Sequence, residues 1–98
     1  MNSGRKLLDT SLGRGEIHDT TGHLIGVGRY ELHLFQEVHA DPAGETHKFE
    51  EIEGFVSGVD AQTRVGEPLV LTLEDGRKLD FSFQDSNGTI LAGGDFRK

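Results

Sequence analysis

The residues best equipped for chemistry surround one proline–glycine turn, in the segment His39-Ala-Asp41-Pro-Ala-Gly-Glu45-Thr-His47. A hairpin centred on Ala43 sets His39 opposite His47 and Asp41 opposite Glu45. Two imidazoles and two carboxylates then converge, a donor set that suits zinc or another first-row divalent ion. The same residue types are ordinary in exposed loops, and no outer partner that would orient the imidazoles can be named from the sequence.

Two smaller groups follow. His18 and His23 flank the turn at residues 19–22 and form a cross-strand pair with no third ligand. His33 beside Glu53 has the composition of an acid–base pair, because a carboxylate raises the proton affinity of a neighbouring imidazole. A plain cross-strand polar contact accounts for that spacing equally well. No Ser–His–Asp set or catalytic carboxylate pair can be assembled, and the absence of cysteine removes disulfides, thiolate metal sites and cysteine nucleophiles together. Gly26-Val27-Gly28 lacks the third glycine and following helix of a dinucleotide site. Asp85-Ser-Asn87-Gly-Thr89 begins like a calcium loop but lacks the later carboxylate, so it reads as a turn.

Surfaces offer a different kind of function. Phe35, Phe49 and Phe55, with Val27 and Val59, fall on one side of the central strands and would suit a protein partner or a second copy. Against that, a curled barrel covers such residues, and burial of at least two of the three phenylalanines is expected. Glu45, Glu50, Glu51, Glu53 and Asp60 form an acidic segment that could attract a cation or a basic partner and is expected to be a solvated edge.

Ten basic and seventeen acidic residues give a net charge of -7, a field that repels phosphate backbones and anionic lipid, and the basic residues are scattered singly or in pairs. Nucleic acid and membrane partners are therefore not expected. Leu7 and Leu8 are the only apolar pair near the start, so neither a leader nor a spanning stretch is read, and a cytoplasmic location is the expectation.

The elements that must position these residues are strands. Fourteen glycines interrupt short runs of β-branched and aromatic residues in a chain of 98, and no long window keeps a helical apolar period. Six strands are predicted, near 7–17, 23–39, 47–60, 68–73, 77–84 and 89–93. Leu69, Leu71 and Leu73 alternate, as do Leu79, Phe81 and Phe83. A three-residue Glu74-Asp75-Gly76 turn puts Leu71 opposite Leu79 and Leu69 opposite Phe81, whereas a two-residue turn puts Leu71 opposite Asp80. The Ala43 centre likewise pairs Leu34 with Ile52, Leu32 with Gly54 and Tyr30 with Val56. Glycines within the strands, with Gly13 and Gly15 close to Gly26 and Gly28, predict strong coiling.

The chain is thus expected to be all-β: a small, strongly twisted antiparallel β-barrel or sandwich of about six strands, forming one domain over 1–98 with frayed ends near 1–5 and 95–98. The predicted core is Leu24, Tyr30, Leu32, Leu34, Ile52, Val56, Leu69, Leu71, Leu73, Leu79, Phe81, Phe83 and Leu91. The expected function is a non-enzymatic protein-binding or assembly module, self-associating or with another protein, without a cofactor. The alternative is a small-molecule or metal-dependent enzyme at the barrel mouth using His39, Asp41, Glu45 and His47. Single-stranded nucleic-acid binding is a third reading.

Overall fold

Turn chemistry sets the register of this protein. In a computed structural model, which describes residues 4–93 and 96–97, three loops share one construction. Asp19 N–H donates to His23 O at 3.0 Å and Gly22 N–H to Asp19 O at 3.1 Å; Asp41 to Glu45 (2.8 Å) with Gly44 to Asp41 (3.0 Å), and Leu73 to Arg77 (2.8 Å) with Gly76 to Leu73 (3.0 Å), repeat it. Each loop has three residues and closes on a glycine at φ between 86° and 91°, a conformation that a Cβ makes costly. The Glu74-Asp75-Gly76 turn is therefore as predicted.

Seven strands result: β1 (Gly4–Asp19), β2 (Leu24–Ala40), β3 (Thr46–Ser57), β4 (Leu69–Thr72), β5 (Lys78–Phe83), β6 (Thr89–Gly93) and β7 (Phe96–Arg97), with one 3-10 turn at Gln62–Arg64. They form one antiparallel sheet in the order β4-β1-β2-β3-β6-β5, and β4 also pairs with β5, which closes a ring of six strands. β7 continues along β5 at Lys78 and Leu79. Among the described residues no helix is long and apolar enough to cross a membrane.

The leucine and phenylalanine rows meet inside the ring. Leu71 lies opposite Leu79 and Leu69 opposite Phe81, while Tyr30–Val56, Leu32–Gly54 and Leu34–Ile52 pair across β2 and β3. Ile17, Ile90, Ala61 and Ala92 complete the core, which sequence reasoning had not placed there; Leu34 packs against it half-buried. Two predicted core residues are corrected. Leu24 is 57% exposed because β2 carries an extra residue, Ile25, between the Ile17–Gly26 and His18–Leu24 pairs, and this bulge turns Leu24 to the outside. Leu91 is 38% exposed because Phe83–Ile90 and Gly54–Ile90 pairing gives the inward phase of β6 to Ile90 and Ala92.

β3 stops at Ser57, short of the predicted residue 60, where Gly58 takes φ 91°. Gly4 and Arg5, expected to fray, begin β1, and Phe96–Arg97 form β7; residues 1–3, 95 and 98 of those predicted ends lie outside the described residues.

The three long strands outrun the ring. Among the described residues β4 pairs with β1 at 16–19 and β6 with β3 at 51–55, and the rest of β1, β2 and β3 projects as an open arm from a molecule 46 Å long. Within the ring β3 also approaches β2 closely. A Cβ on Gly54 would lie 1.8 Å from Glu31 O, so only glycine permits this approach of β3 to β2.

Candidate functional site

At the tip of the arm Asp41 holds the loop and a histidine at once. Its Oδ1 accepts N–H groups of Ala43 (3.0 Å) and Glu45 (2.9 Å), and its Oδ2 lies 2.9 Å from His47 Nε2. The His47 hydrogen bond, followed by the backbone N–H of Glu45, holds the Asp41 carboxyl below its ordinary range. Asp41, Glu45 and His47 each bring one ligand atom within 4.8 Å of the others, a set able to hold a divalent ion facing solvent. His39 does lie opposite His47, but its Nε2 is 3.8 Å from Glu37 Oε2 and its ring meets Phe49 edge-on at 5.6 Å. Three of the four predicted ligands are gathered, and His39 is directed to other partners.

The other histidine pairings differ from expectation. His33 does lie opposite Glu53, yet its Nε2 is 3.0 Å from Glu31 Oε2 and its Nδ1 is 3.2 Å from Thr10 Oγ1. Glu53 instead pairs with Arg5 at 2.5 Å. Thr10, His33 and Glu31 thus form a hydroxyl–imidazole–carboxylate line across β1 and β2, which sequence reasoning missed because Glu31 is reached along the strand rather than across it. The line lies on an open sheet face, and the groove beside it is lined by neither Thr10 nor His33. His18 faces Leu24 rather than His23, because the loop has three residues and not four and so sets His23 against Asp19, 3.5 Å from its Oδ2.

Side chains that alternate away from the core make the outer face of β1, β2 and β3, and they fall into rungs. One rung holds Leu7, Phe35 and Glu51; the next Thr10, His33, Glu53 and Leu91; the next Leu12, Glu31, Phe55 and Thr89; the next Arg14, Arg29 and Ser57. Phe35 is half-buried beneath the Arg5 guanidinium, 3.8 Å from its ring centroid, and Arg5 also reaches Glu37 at 3.5 Å and Glu51 at 3.9 Å. The acidic segment is therefore partly neutralised by one arginine. Phe49 and Phe55 are 55% and 51% exposed, which overturns the expected burial of two of the three phenylalanines. Among the described residues neither belongs to the core cluster or packs against it.

A shallow groove of about 410 Å³ crosses this face, lined by Leu12, Arg14, Arg29, Glu31, Phe55 and Ser57, with Gly13 and Tyr30 beneath. Leu12 is 68% exposed. The groove's margin is fixed from below. Tyr30 Oη accepts the Glu74 N–H at 3.2 Å, and Glu74 Oε2 accepts the Arg14 N–H at 2.7 Å, tying the β4–β5 turn to β1. Leu12, Arg14 and Arg29 were missed from the sequence. The available signal was the turn after Asp19, from which the two strands can be phased once the bulge at Ile25 is known.

Comparison of the chain with protein-family models, with curated proteins and with solved structures finds no match, which leaves this outer face and the hairpin tip as the ground for a functional reading.

Proposed function

We propose that the protein is a non-enzymatic protein-binding or assembly module that docks through the outer face of β1, β2 and β3. The observation that carries this reading is the exposure of Phe49 and Phe55 on the same side of one strand, joined by Leu12, Val27 and Leu91 on neighbouring strands. Leaving large apolar side chains in water forgoes roughly 1.5–3 kcal/mol each relative to burying them. Interleaving them with arginine and glutamate gives the mixed make-up of a non-obligate interface rather than that of a core. An open arm also supplies a long, nearly continuous platform along which an extended partner can lie.

A photo-crosslinking amino acid placed at Leu12 or at Phe55 tests this in cells that make the protein. Both positions are expected to give discrete crosslinked products, whereas the same group at Lys78, on the far side of the barrel, gives none. Equal, diffuse labelling from all three positions would remove the reading.

A further inference from the structure

We propose that the groove receives a carboxylate-bearing segment of the partner protein, with Arg14 and Arg29 gripping the acid and Leu12 and Phe55 taking an apolar side chain beside it. The inference rests on the docking reading above and specifies its partner's chemistry.

The first observation is how the arginines are used. Of the six in the chain, Arg5 engages Glu37, Glu51 and Glu53, Arg64 engages Glu67 at 2.9 Å, Arg77 engages Asp75 at 2.7 Å and Arg97 engages Asp80 at 2.6 Å. The guanidiniums of Arg14 and Arg29 have no carboxylate oxygen within 4.0 Å among the described residues, although acidic residues outnumber basic ones seventeen to ten. The second observation is that these two face each other directly across β1 and β2. Like charges in opposed positions destabilise a sheet, so the fold maintains a local repulsion that an acid placed between them would relieve. Because the Arg14 N–H points away from β2 to Glu74, the pair belongs to the non-hydrogen-bonded kind, whose Cα atoms are only about 4.5 Å apart. Two arginines that leave the sheet so close together can converge on one carboxylate, and guanidinium forks suit that geometry.

The remaining charges near the groove narrow the occupant. Glu31 also lines it but is held by His33 at 3.0 Å, and the Glu74 carboxylate is engaged by the Arg14 N–H. An incoming acid is therefore directed to the Arg14–Arg29 rung, and an apolar group to the Leu12–Phe55 rung next to it. The groove is open and runs into further exposed apolar positions, so it cannot enclose most of a small molecule as ligand pockets do. An extended segment can follow it along the face. The net charge of -7 opposes a nucleic acid, whose phosphates would meet two arginines among many carboxylates.

The test uses a rhodamine-labelled peptide of Phe, Leu and Glu residues, with versions in which Gln or Lys replaces Glu, read by fluorescence anisotropy on the full chain. The Glu peptide is expected to bind at least about tenfold more tightly than the Gln peptide, and to weaken as salt is raised. R14E/R29E, folded by circular dichroism, loses the Glu peptide and gains the Lys peptide. L12S/F55S loses the Glu and Gln peptides alike. Equal binding of the Glu and Gln peptides, still abolished by L12S/F55S, would overturn the charge inference and leave the docking reading standing. No binding by any peptide, together with no discrete crosslinks from Leu12 or Phe55, would end both. Sedimentation showing a dimer that R14E/R29E dissociates would assign the groove to a second copy of this chain and overturn a separate partner.

Discussion

Asp19, Asp41 and Asp85 each open a turn that ends in glycine, and each points Oδ1 back at the loop's own N–H groups. Asp19 Oδ1 accepts from Thr21 (2.9 Å) and His23 (3.0 Å), and Asp85 Oδ1 from Asn87 (2.8 Å) and Thr89 (3.3 Å), as Asp41 does at the arm tip. A side-chain oxygen is here standing in for a backbone carbonyl, which is why aspartate is favoured at such positions. The charged form gains most. The Thr21 hydroxyl and the His23 N–H hold Asp19 down to about 2, from an ordinary 3.8, while Thr89 and the Asn87 N–H lower Asp85 and the Arg77 N–H lowers Asp75. A carboxyl whose folded value is depressed stabilises the native state fully above its unfolded value, and that contribution is lost as pH falls through the folded one. The thermal midpoint is therefore expected to be steady from neutral pH to about 5 and to drop between about pH 4 and 2. A D19N/D41N/D85N triple variant, which keeps an acceptor oxygen at each turn but no charge, should lose much less over the same interval. Melting curves at several pH values decide it, and parallel curves for the two proteins would show that these turns do not govern acid sensitivity.

The hairpins show what a sequence can and cannot convey about register. The pairing of β4 with β5 was legible because two alternating rows and one glycine turn must agree in phase, and only a three-residue loop satisfies both. The β2–β3 register was legible in the same way, and with it the placing of Phe35, Phe49 and Phe55 on one face. The β1–β2 register was not. A three-residue loop after Asp19 alone would oppose Arg14 to Gly28; the single extra residue Ile25 shifts the pairing so that Arg14 meets Arg29 and Leu24 turns outward. Nothing in local alternation announces one inserted residue, so both the groove and the error at Leu24 have the same cause. The burial of the phenylalanines was misjudged for another reason: whether an outer face is covered depends on ring closure through β1–β4 and β3–β6, which are contacts between strands distant in the chain. Gly54 belongs to this scale as well, since its place on β3 against Glu31 O shapes the coil of the whole strand. Gly54→Ala is expected to cost about 1–3 kcal/mol in urea unfolding through backbone displacement. Gly26→Ala, whose Cβ would meet only Val59 Cγ2 at 3.4 Å, should change stability by less than about 1 kcal/mol. Similar losses for both would mean that the close approach at Gly54 is not what limits the strand.

The buried core and the open arm occupy different halves of the molecule. Every fully buried large side chain, from Ile17 to Ile90, lies in the closed ring or at its base, whereas residues 4–12 and 36–50 contribute none. The arm instead presents two edges beyond the reach of β4 and β6, and unpaired edges invite indiscriminate strand addition. Charged side chains at Arg5, Lys6, Lys48 and Glu50 and the bulge at Leu8 interrupt such pairing, so the arm is equipped to offer its face while discouraging its edges. On the docking reading proposed above, the length of the arm serves the partner rather than the core. Excising residues 37–40 together with 46–49 removes equal lengths from β2 and β3 and returns the Asp41–Glu45 turn to the same side of the ribbon, next to the Gln36–Glu50 pair. The shortened chain is expected to remain a cooperatively folding barrel, within about 1 kcal/mol of the full protein, because no core contact is removed. It should also keep the Arg14–Arg29 groove and the acidic-peptide binding that depends on it, while losing Phe49 and the apolar contacts along the arm. Urea unfolding and peptide anisotropy on the same sample separate the two effects. A shortened chain that fails to fold would show that β1, β2 and β3 act as one cooperative unit from tip to ring, and the division between a stabilising barrel and a presenting arm would have to be given up.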